Sequence, residues 1–180
     1  MRLRGLAVGC LGFEEIRRLL SGRPANFSFV DESASGSALP VSKREVIWIK
    51  RNGISAILSL TETPLNSDWV VGFEYMNIPM KDHAIPTLDQ LTRAVRFLLL
   101  QTQKNNRVLV HCLAGKGRTG TVLAAYLCQR YDLSPDESIA RLRSNRPGSV
   151  ERKQVTVLNE YYRAVLNGTQ TGPEQRDRPL

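Results

Sequence analysis

A chain of 180 residues that is 42% hydrophobic can bury one substantial core but is too short for two comfortable domains. Its 25 Lys and Arg against 17 Asp and Glu, a net charge of +8, suit anionic partners, and no aromatic-interleaved basic run marks a nucleic-acid surface. Three cysteines, Cys10, Cys112 and Cys128, show no paired spacing, which argues against a disulfide framework, and no apolar run approaches the ~18 residues of a membrane span. Arg2 and Arg4 precede a short apolar stretch, but Gly9 and Gly12 break it and Glu14 and Glu15 follow where a cleavage pattern would stand, so no signal segment is read.

In chain order, Ile16, Leu19 and Leu20 share one face of a short helix over 13–21, closed by Gly22. Residues 24–30 and 33–39 read as strands, the second ended by Pro40. Ser42 and Glu45 form a capping box, and Asn52-Gly53 supplies the stop of a helix over 43–51. A buried strand over 54–60 leads into a loop with one helical turn near Trp69, and residues 73–78 alternate as a strand. The loop from Pro79 to Pro86 precedes a second capping box, Thr87 to Gln90, and a helix over 88–103 with Leu88, Leu91, Val95, Leu98 and Leu99 inward. A strand over 107–111, a glycine-rich loop and a mostly apolar helix over 119–131 follow. Ser134-Pro135-Asp136-Glu137 opens another helix to about 144, Arg146-Pro147-Gly148-Ser149 reads as a turn, and Val155, Leu158, Tyr162 and Val165 line a last helix ending at Asn167-Gly168. Interleaved strands and helices of this size predict an α/β domain with a central, mostly parallel sheet flanked by helices.

The chemistry gathers in His111-Cys112-Leu113-Ala114-Gly115-Lys116-Gly117-Arg118-Thr119-Gly120, a loop between a buried strand and a helix. A helix opening on such a loop aims unpaired N–H groups and the positive end of its dipole into it, which cradles a phosphate. Gly115, Gly117 and Gly120 are expected to take positive φ and let backbone approach an anion, and Arg118 offers a planar fork of donors. The same N–H groups favour Cys112 as a thiolate nucleophile. Phosphate-ester cleavage also needs a proton for the departing oxygen and a base for the attacking water, which one carboxylic acid can supply. Asp82, on a loop directly after a strand, is the candidate; Asp68 lies farther from Cys112 in the chain, and Asp89 is explained by its place in a first helical turn.

The block from Cys112 to Arg118, followed by Thr119-Gly120, resembles the signature loop of the cysteine-dependent protein tyrosine phosphatase superfamily, in its dual-specificity branch. Asp82-His83-Ala84-Ile85-Pro86 is similar to the branch's acid loop, and the stretches around Asn26, Ser59 and Arg146 resemble its small, atypical members over residues 24–166. The resemblance implies a protein tyrosine phosphatase-like fold and a metal-free, cofactor-free mechanism through a phosphocysteine. It assigns Cys112 as nucleophile, Arg118 as phosphate clamp, Asp82 as general acid, and Thr119 as the hydroxyl supporting the departing thiolate. The phosphate would rest on Leu113, Ala114, Gly115, Lys116, Gly117 and Arg118. His111 would support the loop, His83 would orient or shape it, and Gln154 would either position the hydrolytic water or be an ordinary helix-surface glutamine. The implied substrate is a phosphorylated protein, at tyrosine and at serine or threonine. Lys116 also resembles a lysine of phosphoinositide 3-phosphatase loops, so a phosphoinositide or inositol phosphate is the alternative substrate. A catalytically dead phosphate-binding module is a third reading, disfavoured because Cys112, Arg118 and Asp82 are all present. The expected organisation is an extension over 1–22, a catalytic domain over 23–167 and a disordered polar tail over 168–180, in a cytoplasmic monomer without nucleic-acid partner or membrane span.

Overall fold

The structure, a computed structural model, describes residues 21–170. The helix expected over 13–21 and most of the polar tail therefore lie outside the described residues. Among the described residues the elements are β1 (Ser28–Phe29), β2 (Ala34–Ser37), α1 (Lys43–Arg51), β3 (Ile54–Ser59), β4 (Glu74–Asn77), α2 (Leu88–Gln103), β5 (Arg107–His111), α3 (Gly117–Tyr131), α4 (Pro135–Asn145) and α5 (Val155–Gln170), with single 3₁₀ turns at Ser67–Trp69 and Arg152–Gln154.

The five strands form one sheet in the order β1-β2-β5-β3-β4, parallel except for the β1 edge, which runs antiparallel to β2. This is the expected mostly parallel sheet. Strand β5 is central, and its alternation divides the core: Val108 and Val110 face α2, α3, α4 and α5, while Leu109 joins Ile49, Ile57 and Phe27 beneath α1. At the carboxyl end the register sets Ser37, His111 and Ser59 side by side, so the loop that follows β5 emerges between two neighbouring strand ends. Open α/β sheets bind their ligands at this edge.

Where caps were legible, the helices begin as expected. Ser42 Oγ accepts from Glu45 N–H, and the Thr87–Gln90 and Ser134–Glu137 boxes close in both directions. Four expectations need correction. Leu88 does not face the core; as the first residue of α2 it is 37% exposed, and Ala94, Phe97, Gln101 and Thr102 join Leu91, Val95 and Leu98 on the buried face. Helix α3 starts at Gly117 rather than Thr119, because the loop residues already wind into its first turn. Strands β1 and β2 are shorter than the stretches 24–30 and 33–39. Helix α5 continues to Gln170, past the stop read at Asn167-Gly168: a glycine inside a helix costs only about 1 kcal/mol, too little to end one by itself.

Candidate active site

The loop from Cys112 to Lys116 hangs from β5, and its carbonyls are tied to the scaffold around it. Leu39 N–H donates to Leu113 O at 3.1 Å, and Asn26 Nδ2 donates to Ala114 O at 3.1 Å and to Gly115 O at 3.2 Å. Arg146 Nη2 donates to Gly115 O at 2.6 Å. With three successive carbonyls held from outside, the loop's amides are left for its interior, where Gly115 N–H donates to the buried Cys112 Sγ at 3.2 Å. No side chain caps the N-terminus of α3, so its first-turn N–H groups also remain for an anion.

The three glycines do different work from that expected. Only Gly115 has positive φ, +72°, and a Cβ there would stand 2.4 Å from the Ser37 carbonyl. Gly117 and Gly120 are helical, and each is needed for space: a Cβ on Gly117 would meet Glu151 Oε1 at 2.6 Å, and one on Gly120 would meet Val150 N at 2.7 Å. The segment 149–154 is thus pressed against the first turn of α3.

Arg118 is buried. Its Nη1 donates to Met80 O at 2.8 Å and Leu60 O at 3.4 Å, and its Nη2 donates to Asp82 Oδ1 at 2.6 Å. These bonds fix the guanidinium plane between the ends of β3 and β4 and bring Asp82, distant in sequence, to the arginine. Asp82 is half-buried. Its N–H donates to Glu62 Oε1 at 3.2 Å, and Glu62 Oε2 lies 3.8 Å from Arg118 Nη1. His83, with φ +55°, donates its N–H to Asp82 Oδ1, while its exposed imidazole lies 3.7 Å from Asp82 Oδ2. Lys153 Nζ donates to His83 O, so the acid loop is held from the far side as well.

His111 is fully buried, and its Nε2 lies 2.6 Å from Ser59 Oγ. Tyr75 Oη accepts from Leu65 N–H and donates to Ser59 Oγ, leaving the serine hydroxyl hydrogen for the imidazole. Burial, which penalises the cation, lowers the imidazole pKa to about 4, and Arg118's charge adds to that effect. Thr119 lies in the first turn of α3 with its hydroxyl buried and without a hydrogen-bond partner among the described residues. Lys116 is exposed at the N-cap of α3. Gln154 is not a helix-surface residue: it is buried in the 3₁₀ turn before α5, its Oε1 accepts Glu151 N–H at 3.0 Å, and its amide backs onto Gly117.

Arg146 is the residue that sequence reasoning missed. Its segment reads as a turn, yet the side chain is fully buried and Nη1 donates to Asn26 O, Ser28 Oγ and Gly36 O as Nη2 holds the loop. Glu62 was also missed as a contact of Asp82 and Arg118. Beside the loop opens a cleft of about 580 Å³, whose lining includes Leu39, Val41, Leu65, Trp69, Leu113 and, at one end, Arg118 with Asp82.

A mostly parallel sheet with a cysteine in a glycine-rich loop at a helix N-terminus, an arginine fork and a neighbouring carboxylate defines the class of cysteine-dependent phosphatases. The chain belongs to the dual specificity phosphatases: the family's catalytic-domain model matches residues 41–164. Human phosphatidylglycerophosphatase and protein-tyrosine phosphatase 1 is 30% identical over 151 residues, 76% of this chain and 73% of that protein. Human dual specificity protein phosphatase 16 is 30% identical over 134 residues, 71% of this chain and 20% of that longer protein. Among solved structures, Tk-PTP in its active form superposes with a TM-score of 0.71 at 30% identity, covering 77% of this chain and 97% of that one. PTPMT1 in complex with PI(5)P gives 0.73 at 25% identity, covering 79% and 98%.

Proposed function

We propose that this protein phosphatase hydrolyses phosphotyrosine and phosphoserine or phosphothreonine esters of protein substrates in the cytoplasm, through a phosphocysteine on Cys112. The observation that carries this reading is the convergence of Cys112, Arg118 and Asp82 at the carboxyl end of the sheet, where β3, β4 and β5 end. A substrate phosphate enters the loop and takes over the guanidinium of Arg118, releasing Asp82. Asp82, once released from Arg118, takes up a proton from solvent; Cys112 sulfur attacks phosphorus, the P–O bond to the ester oxygen breaks, and Asp82 delivers that proton to the departing oxygen. Water then attacks the phosphocysteine, Asp82 takes the water's proton, and the P–S bond breaks to return the thiolate, supported by the Thr119 hydroxyl, which has no partner among the described residues. Leu113 to Gly117 contribute the amide cradle, with His111 bracing it below. Gln154 braces the start of α3, and orienting the water would require its amide to turn from Glu151.

Lys116 and the PI(5)P complex of PTPMT1 favour a second reading, a phosphoinositide substrate. Against it, the cleft presents the carboxylates of Glu62 and Asp82 beside the single cation Arg118, a poor match for a polyanionic ring. The test is turnover of a phosphotyrosine peptide, a phosphothreonine peptide and PI(5)P vesicles at equal concentration by the wild type and Cys112→Ser. Both peptides should turn over faster than the vesicles, and the serine variant should lose turnover but keep inorganic phosphate binding. Appreciable activity in the serine variant would remove Cys112 as nucleophile, and a dominant vesicle rate would select the lipid reading.

A further inference from the structure

Two of the large hydrophobic side chains most open to solvent stand together beside the phosphate loop. Val41 is 62% exposed and Leu113 55%, and both line the 580 Å³ cleft that starts at Arg118 and Asp82. The cleft is walled by separate loops: Leu39 to Val41 between β2 and α1, Thr61 to Asn66 after β3, the 3₁₀ turn with Trp69, and the phosphate loop itself. Apolar surface left uncovered in a concave site gains from an apolar occupant, since burial is worth about 25 cal/mol per Å². Because the cleft's lining includes Arg118 and Asp82, a group in it can belong to the same molecule as a phosphate bound there. Its polar lining adds a sign. Glu62, exposed at 58% of its side chain, sits in the cleft with one carboxylate oxygen on the Asp82 N–H. An acidic group placed beside it would meet like charge, and Arg118 is already taken by the phosphate.

We propose that this cleft is a specificity subsite for a large apolar side chain adjacent to the phosphorylated residue of a protein substrate, and that Glu62 excludes an acidic one. The inference rests on the protein-substrate reading above and extends it to the sequence around the phosphate. Val41, Leu113 and Trp69 supply the apolar contact, and Glu62 supplies the rejection. Val41 and Trp69 lie outside the catalytic machinery, and the exposure of Val41 makes its replacement tolerable to the fold.

The experiment compares three phosphotyrosine peptides that differ only at the two positions flanking the phosphoresidue, which are Leu, Gly or Asp. A small aryl phosphate serves as the control. The Leu peptide should exceed the Gly peptide about tenfold in kcat/KM, the worth of one buried aliphatic side chain in a half-open site, and the Asp peptide should fall below both. Val41→Ser with Trp69→Ala should bring the Leu peptide to within about twofold of Gly, with aryl phosphate turnover unchanged. Glu62→Gln should raise the Asp peptide relative to Gly. Equal rates for Leu and Gly peptides, or a Leu preference that survives the double substitution, would overturn the subsite while leaving the protein phosphatase reading intact. Turnover of the aryl phosphate with no turnover of any peptide would overturn the reading itself. A double substitution that depressed only PI(5)P vesicle turnover would show the cleft holding acyl chain instead.

Discussion

Asp82 Oδ1 holds one side of Arg118 at 2.6 Å, and under the proposed mechanism a substrate phosphate oxygen competes for that same side. On that reading the pair would position the acid before substrate arrives and free it once a dianion takes the guanidinium. Asp82→Asn keeps the size and hydrogen bonding of the side chain but removes the transferable proton. It should lower kcat roughly 10²- to 10⁴-fold on alkyl phosphates. The loss should shrink as the leaving group becomes more acidic, because a stable phenolate departs without a proton; a series of aryl phosphates measures this, and a uniform loss would move the role elsewhere. His111 makes a second, independent expectation. Its pKa is about 4 when folded, against about 6.5 in the unfolded chain, so the folded protein binds fewer protons between those values. That stability is therefore complete above pH 6.5 and is lost as pH falls to about 4. The loss is roughly 3 kcal/mol, at about 1.4 kcal/mol for each factor of ten in proton affinity. Urea unfolding at pH 4.5 and pH 7 should show it in the wild type and show a flatter dependence in His111→Gln, in which nothing titrates at that position.

Among the elements, the strand–loop–helix unit from β5 to α3 depends on glycines for two separable reasons. Gly115→Ala meets both, a left-handed φ of +72° and a Ser37 carbonyl 2.4 Å from the new methyl, and backbone cannot move aside as a flexible side chain can. It should lower stability by about 2 kcal/mol or more and raise the inhibition constant of inorganic phosphate, because the amide now bonded to Cys112 would shift. Gly117→Ala meets only the end of the Glu151 side chain and the Gln154 amide, so it should be milder in both measurements. Equal effects would contradict the division. The loop's strand, cysteine, arginine and glycines were legible in the sequence because they occur together within residues 107–120. The helical φ of Gly117 and Gly120 was not, since the need there comes from segment 149–154 packing across them. Helices α1, α2 and α4 were legible at their starts because Ser42, Thr87 and Ser134 carry their own capping partners three residues on. Leu88 misled because periodicity gives a face but not where the first turn clears the core.

Across the molecule, the catalytic end of the sheet is assembled from segments far apart in the chain, and Arg146 is where they are joined. Its donors reach the 26–28 turn, β2 at Gly36 and the phosphate loop at Gly115. Nothing local distinguishes such an arginine from a turn residue; only the absence of side chains at Gly36, where a Cβ would stand 2.9 Å from the guanidinium carbon, makes room for it. The parallel sheet itself was readable from alternating elements, whereas a side chain bonding residues 31 to 120 positions away was not. Burial lowers the guanidinium pKa to about 10, with Cys112 acting in the opposite sense, so the side chain stays charged under ordinary conditions. Replacing a buried ion pair with a hydrophobe can be neutral, because both charges vanish together. Here the acceptors are three backbone carbonyls and a hydroxyl, which stay behind. Arg146→Met should therefore strand buried acceptors at about 1–3 kcal/mol each and cost roughly 3 kcal/mol after its own burial is counted. It should also weaken inorganic phosphate binding, because Gly115 O loses its 2.6 Å tie. Arg146→Lys keeps charge but cannot span the four acceptors, and should recover less than half of either loss. Urea unfolding and phosphate inhibition of the two variants measure both; a Met variant within about 0.5 kcal/mol of wild type with unchanged phosphate affinity would reduce Arg146 to a filler of space.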